Sequence, residues 1–172
     1  MNPTAPLVDG DEKQLENASE PVILFVDDEP RSLKCFRKIL SQDFEIFTAS
    51  NAAEAIEILE ARGSEIGILV ADQRMPKTTG VDLIKIARAQ WPHIVPLLAT
   101  AYIDIDATTE AINEGHIFKY IRKPWDRDQL KAQLKEASKE YARIISNAKL
   151  VEANRELKQA SEAREEFIRT LS

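Results

Sequence analysis

Residues Ile66 to Gly80 read IGILVADQRMPKTTG, an apolar run that ends abruptly in Asp72 and passes into a proline-containing turn. A short apolar run bounded by turn residues suits a strand buried on both faces. Such strands belong to parallel sheets, whose ligands bind beyond the strand carboxyl ends. Asp72 stands at an end of that kind. By itself it could equally be a turn residue, since aspartate favours turns.

The same pattern recurs along the chain. Val22 to Val26 (VILFV) is a second doubly buried strand, ending in Asp27-Asp28-Glu29-Pro30. Proline suits a first helical turn, where its missing N–H has no partner to lose. A helix from about Pro30 to Leu40 follows, with Leu33, Phe36, Ile39 and Leu40 on one face. Phe44 to Thr48 alternates like a half-covered strand. Asn51 and Glu54 form a capping-box pattern that opens a helix through Leu59, and Gly63 can close it. Thr79 and Asp82 open the next helix, with Leu83, Ile84 and Ile86 inward. Ile94 to Ala99 is a strand whose paired part is expected to begin at Pro96, because proline cannot donate to a ladder. A helix of roughly Asp104 to Glu114, closed by Gly115, leads to a short strand, Phe118 to Ile121. Asp126 and Gln129 open the last helix.

Five strand–helix units in succession predict an α/β fold with a five-stranded parallel sheet and helices on both faces. Asp27, Asp28, Asp72, Thr100 and Lys123 each fall just after a strand, which places them on one rim. Three carboxylates held together raise one another's pKa, and a divalent cation removes that penalty. Oxygen ligands favour a hard ion such as Mg²⁺. With a lysine and a threonine hydroxyl added, the set suits a phosphoryl group, which a carboxylate can carry as an acyl phosphate.

This constellation resembles the receiver domain of bacterial response regulators over about Val22 to Leu134. The resemblance rests on Asp27-Asp28, on Asp72 followed by Met75-Pro76 and Gly80, on Thr100-Ala101 and on Lys123-Pro124, all in the family's order. It implies a (βα)5 flavodoxin-like receiver fold. It implies Asp72 as phosphoacceptor, and Mg²⁺ held by Asp27, Asp28, Asp72 and the Arg74 main-chain carbonyl. Thr100 and Lys123 would bind the phosphoryl oxygens. Tyr120 would swing inward as Thr100 moves, reshaping the face around the last strand and its flanking helices. The implied phosphodonor is a histidine kinase or phosphotransfer protein. No stand-alone enzyme is expected in this stretch beyond self-catalysed transfer to Asp72.

The sequence also departs from the family pattern. Gly115 to Lys123 (GHIFKYIRK) is one residue longer than the commonest spacing. With Trp125 it resembles a Lys-Pro-Trp subgroup fused to outputs such as histidine kinases or cyclic-dinucleotide phosphodiesterases. Arg74 and Tyr102 occupy rim positions that tune phosphoryl lifetime in the family, and their bulk implies an altered lifetime here. Two other readings compete with the switch. An aspartate-nucleophile phosphohydrolase would carry a second Asp two residues after the nucleophile, where this chain has Arg74. A purely structural dimerisation module would not need the five polar residues.

From Asp126 to Leu171 there is neither proline nor glycine. A continuous helix here would run roughly 70 Å, against a radius of gyration of about 14 Å for a domain of this size. It must leave the globular body. Leu130, Leu134, Ala137, Tyr141, Ile144, Ala148 and Val151 form a heptad seam. After Val151 the phase slips to a weaker register: Leu150, Asn154, Leu157, Ser161, Arg164, Ile168 and Leu171. The expected organisation is a disordered leader over 1–20, a receiver over 21–140 and a coiled-coil signalling helix over 141–172, joining a parallel homodimer. Glu165 to Ser172 (EEFIRTLS) resembles the lead-in to a histidine-kinase dimerisation helix, so a hybrid-type kinase output is expected beyond it.

The bulk properties narrow the remaining classes. A net charge of −6 gives no general attraction to nucleic acid or anionic membrane. No apolar run is long enough to span a bilayer. The single Cys35 reads as a small core residue, and a reducing cytoplasmic setting fits it. His93 and His116 lack partners at metal-ligand spacing, and Trp91 and Trp125 read as packing residues.

Overall fold

The computed structural model describes residues 20–101, 109, 110, 112–114 and 116–172. The elements are β1 (Val22–Val26), α1 (Pro30–Leu40), β2 (Ile46–Ala49), α2 (Ala52–Arg62), β3 (Ile66–Asp72), α3 (Gly80–Gln90), β4 (Val95–Thr100), β5 (Lys119–Arg122) and α4 (Arg127–Leu171). Helical residues at 109–110 and 112–113 lie between β4 and β5. The expected leader up to residue 19, Tyr102, Gly115 and the start of the Asp104–Glu114 helix lie outside the described residues.

All neighbouring strands run parallel, in the order β2-β1-β3-β4-β5. This is the doubly wound order whose switch point lies between β1 and β3. Each interior strand feeds two cores because successive side chains alternate faces. Leu24, Val26, Leu69 and Ala71 meet α2 and α3 through Leu59, Leu83, Ile84 and Ala87. Ile23, Phe25, Ile68 and Val70 meet α1 and α4 through Phe36, Leu40, Leu130 and Leu134. Phe25 and Phe36 stack with centroids 4.1 Å apart.

The helix starts follow local chemistry. The Asn51 side chain accepts from Glu54 N at 2.8 Å, and the Glu54 carboxylate accepts from Ser50 N at 2.7 Å. Thr79 Oγ1 accepts from Asp82 N at 3.2 Å, and Asp126 accepts from Gln129 N at 2.8 Å. Helix α2 continues to Arg62 and closes at Gly63, which has ordinary right-handed dihedrals. The glycine is needed there for space, because a Cβ would collide with the Trp91 indole.

Three details differ from expectation. Cys35 is exposed, because α1 turns Phe36 and Leu40 inward and Cys35 lies about 100° away on the helix. Ile86 is 40% exposed, because the inward stripe of α3 is Gly80, Leu83, Ile84 and Ala87. Pairing of β4 begins at Val95, so Pro96 lies inside an interior strand. The Pro96 carbonyl accepts from Phe118 N, on the β5 side. Both backbone polar groups of a residue in a parallel strand face the same neighbour. The absent N–H therefore points below Lys119, where β5 has not begun, and no ladder bond is lost.

Helix α4 is continuous over 45 residues. Leu130, Leu134 and Ala137 are buried against the sheet, and Tyr141 and Ile144 pack at its lower margin. Lys131 pairs with Asp43 at 2.7 Å, and Lys135 pairs with Glu20. The Lys131 hydrogen bond holds the Asp43 carboxyl below its ordinary range. The β1–β3 register shifts at Val22/Ile23, leaving Gly67 as the extra residue. A Cβ on Gly67 would lie 2.5 Å from Pro21 Cβ and 3.0 Å from the Tyr141 ring. Gly67→Val is therefore expected to cost about 1–3 kcal/mol by overpacking and to loosen α4 near Tyr141. Urea unfolding reads the first effect, and hydrogen exchange of the Lys139–Ile144 amides reads the second.

Candidate functional site

The candidate site lies where β1, β3, β4 and β5 all end, beside the switch point. Asp27 follows β1 and is fully buried; its Oδ1 accepts from Glu29 N at 2.9 Å, which fixes the turn into α1. Asp28, next in sequence, is exposed. Asp72 ends β3 and is buried. Asp27, Asp28 and Asp72 each offer an oxygen, and these oxygens lie within 4.8 Å of one another. Three hard oxygen donors so close fit a divalent cation of the Mg²⁺ kind.

Lys123 reaches the cluster from the end of β5. Its Nζ lies 2.5 Å from Asp27 Oδ2 and 3.0 Å from Asp72 Oδ1. The pairing of Thr100 with Arg122, and the hydrogen bond from Lys123 N to Thr100 O at 2.9 Å, carry Lys123 to this rim. Thr100 is buried at the end of β4. Burial pushes the Asp72 carboxyl above its ordinary value; the Lys123 hydrogen bond and charge oppose this, and Asp27 and Asp28 add to it. Burial pulls the Lys123 ammonium down, but hydrogen bonds and charge from Asp27 and Asp72 outweigh that and leave it raised. The site thus holds a charged lysine between two carboxylates.

Several supports of the site are not evident from sequence. Gln73 N donates to Ala99 O, and Gln73 Oε1 accepts from Val81 N, tying the loop after Asp72 to the start of α3. Gly80 passes so close that a Cβ would lie 2.5 Å from Asp72 O. Lys77 takes φ 69° in a turn closed by Thr78 N to Pro76 O. Trp125 stands edge-on to Phe25 and Phe36, with Lys123 Nζ 5.8 Å from its ring centroid. It is a packing residue that also borders Lys123. Gly80 after the turn and Trp125, read as a packing residue beside Lys123-Pro124, are the sequence signals that hint at these supports.

Arg74 is exposed in the loop beyond Asp72. Tyr120, on β5, is 39% exposed and stands outside both cores. His93 Nε2 lies 3.0 Å from Gly63 O and 3.2 Å from Ile66 O, so it braces the turn before β3. His116 lies at the surface, 3.3 Å from Glu114.

A doubly wound five-stranded sheet with an acidic cluster and a lysine at its carboxyl edge defines the flavodoxin-like receiver class. The chain belongs to the response regulator receiver domain family, whose profile matches residues 23–135. It is 40% identical over 119 residues to the hydrogenase transcriptional regulatory protein HoxA of Bradyrhizobium diazoefficiens, covering 69% of this chain and 24% of that protein. It is 28% identical over 130 residues to the sensor kinase CckA of Brucella abortus, covering 73% of this chain and 14% of that protein. The chain thus spans a quarter or less of these two curated relatives. Among solved structures, one described as adenylate cyclase from Rhodopirellula baltica superposes with a TM-score of 0.72 at 31% identity, covering 77% of this chain and 98% of that one. The protein is a receiver of two-component signalling, a family that takes phosphoryl groups from histidine kinases or phosphotransfer proteins. Among the described residues no helix is long and apolar enough to cross a membrane.

Proposed function

We propose that this receiver accepts a phosphoryl group on Asp72 and passes the resulting change along α4. The observation that carries the reading is the Asp27–Asp28–Asp72 cluster with Lys123 inserted between two of its members. Asp27, Asp28, Asp72 and the Arg74 carbonyl would hold Mg²⁺. Bound there, the ion would neutralise charge on the phosphoryl oxygens and the carboxylates. An Asp72 Oδ attacks phosphorus as the P–N bond of a phosphohistidine breaks. The electron pair leaves with the imidazole nitrogen, which is protonated, and an acyl phosphate remains on Asp72. Lys123 and Thr100 then bind the phosphoryl oxygens.

The new dianion biases Thr100 and, through β4–β5 pairing, Tyr120. Tyr120 is the β5 residue paired with Leu98, two positions before Thr100 on β4. Its exposure of 39% in the resting chain leaves it apolar surface to gain by moving inward.

The structures and relatives that the receiver resembles carry different named activities: a transcriptional regulator, a sensor kinase and a cyclase. The receiver is therefore read as the input, and α4 as the route to an output. The stretch Glu165 to Ser172 supports a histidine-kinase type of output, and the HoxA match supports a transcriptional one. The far half of α4 supports a homodimer, since Leu150, Val151, Leu157 and Leu171 are exposed on it.

The test is intact mass after incubation with Mg²⁺ and a small acyl phosphate. One added phosphoryl group is expected, and none when the metal is chelated. Asp28→Asn is expected to weaken Mg²⁺ binding about tenfold or more, read by quenching of tryptophan fluorescence during metal titration. Unchanged affinity would remove Asp28 from the ligand set.

A further inference from the structure

Helix α3 starts against the main chain of Asp72, where a Cβ on Gly80 would lie 2.5 Å from Asp72 O. The first N–H groups of an α-helix have no partner within the helix. In α3 the donors of Gly80, Val81 and Asp82 are all taken up. Asp82 N donates to Thr79 Oγ1 at 3.2 Å, the ordinary cap from the residue before the helix. The other two donors go to the far side of the loop. Gly80 N donates to Gln73 O at 3.2 Å, and Val81 N donates to Gln73 Oε1 at 3.2 Å. Gln73 N in turn donates to Ala99 O at 2.9 Å, beside Thr100.

Gln73 therefore joins β3, which it follows, to both β4 and α3. In the chain it stands between Asp72 and Arg74. Its N–H and its carbonyl are both engaged, so the planar peptides on either side of it are held, one leaving Asp72 and one entering Arg74. We infer that Gln73 is a positioning residue for the metal. Its side-chain amide, by capping α3, keeps the Asp72–Arg74 segment in the arrangement that receives Mg²⁺. The inference rests on the reading above, in which Asp72 and the Arg74 carbonyl are ligands.

A cap can stabilise a helix from any element, so capping alone does not assign this role. Gln73 differs from Thr79 in what it is attached to. Thr79 caps α3 from the residue next to the helix, whereas Gln73 caps it from the strand side, directly after Asp72. Removing the Gln73 amide takes this acceptor from Val81 N and leaves the Gly80 to Gln73 main-chain bond as the remaining tie to α3. The segment then has more conformations to lose when an ion binds, and that ordering offsets part of the binding free energy. Partners that orient ligands without touching the metal act in this way.

The experiment uses the full chain and three variants. Gln73→Met keeps the length of the side chain without the acceptor. Gln73→Asn keeps an amide that is one methylene too short. Thr79→Val removes the other side-chain cap of the same helix. Tryptophan fluorescence reads Mg²⁺ affinity, hydrogen exchange of the Val81 amide reads the cap, and urea unfolding reads stability. Both Gln73 variants are expected to bind Mg²⁺ about tenfold more weakly, with faster exchange at Val81. Thr79→Val is expected to lower the urea midpoint at least as much, yet to bind Mg²⁺ within about twofold of the wild-type chain. At saturating Mg²⁺ the Gln73 variants are expected to take up a phosphoryl group from a small acyl phosphate within about threefold of the wild-type rate, since positioning acts through the metal. Unchanged Mg²⁺ affinity in a folded Gln73→Asn chain, or an equal loss in Thr79→Val, would reduce Gln73 to a helix cap and overturn the inference. A wild-type chain that bound Mg²⁺ but took up no phosphoryl group would overturn the Asp72 reading alone. A wild-type chain that bound no Mg²⁺ would overturn both.

Discussion

Asp72→Asn is expected to take up no phosphoryl group under conditions that label the wild-type chain. The substitution keeps the size of the side chain and its place at the end of β3, but an amide is not a nucleophile for phosphorus. Asp72 is buried, and burial raises its pKa, so removing its charge relieves repulsion with Asp27 and Asp28. The variant is therefore expected to remain folded. Intact mass reads the uptake, and circular dichroism reads the fold. A folded Asp72→Asn chain that still gained one phosphoryl group would place the acceptor elsewhere.

Lys123→Met is expected to lose about 3 kcal/mol of stability near neutral pH. The lysine Nζ is the cation that contacts both Asp27 and Asp72. Without it, two buried carboxylates face each other. The sign of the pH dependence follows from Asp72, whose folded pKa is already raised and would rise further. A carboxyl with a raised folded pKa binds more protons folded than unfolded. Stability then falls as pH rises from the unfolded carboxylate pKa towards the folded one. The deficit should shrink as pH drops towards about 4. Mg²⁺ should restore part of it at neutral pH. Urea unfolding at several pH values checks both; a deficit that grew on acidification would reject the argument.

Much of the architecture was legible in the sequence because it depends on local chemistry. Apolar runs such as Val22–Val26 and Ile66–Ala71 announce strands buried on both faces, and Asn51, Thr79 and Asp126 announce helix starts. The strand-end positions of Asp27, Asp72, Thr100 and Lys123 follow from the βα alternation. Which side of a helix a residue takes depends instead on tertiary packing. Cys35 and Ile86 lie off the inward stripes of their helices. Pro96 is tolerated because β5 starts above it.

The parallel α/β fold, the helix caps and the family to which the chain belongs are written in the linear order of residues. Which atoms meet is not. Lys123 and Asp27 are 96 residues apart, and their contact depends on β4–β5 pairing and on the turn fixed by Glu29 N. The path of α4 over the sheet depends on the space at Gly67. Local patterns specify elements through short-range sterics and hydrogen bonds. Contacts between distant elements depend on packing that no single stretch contains.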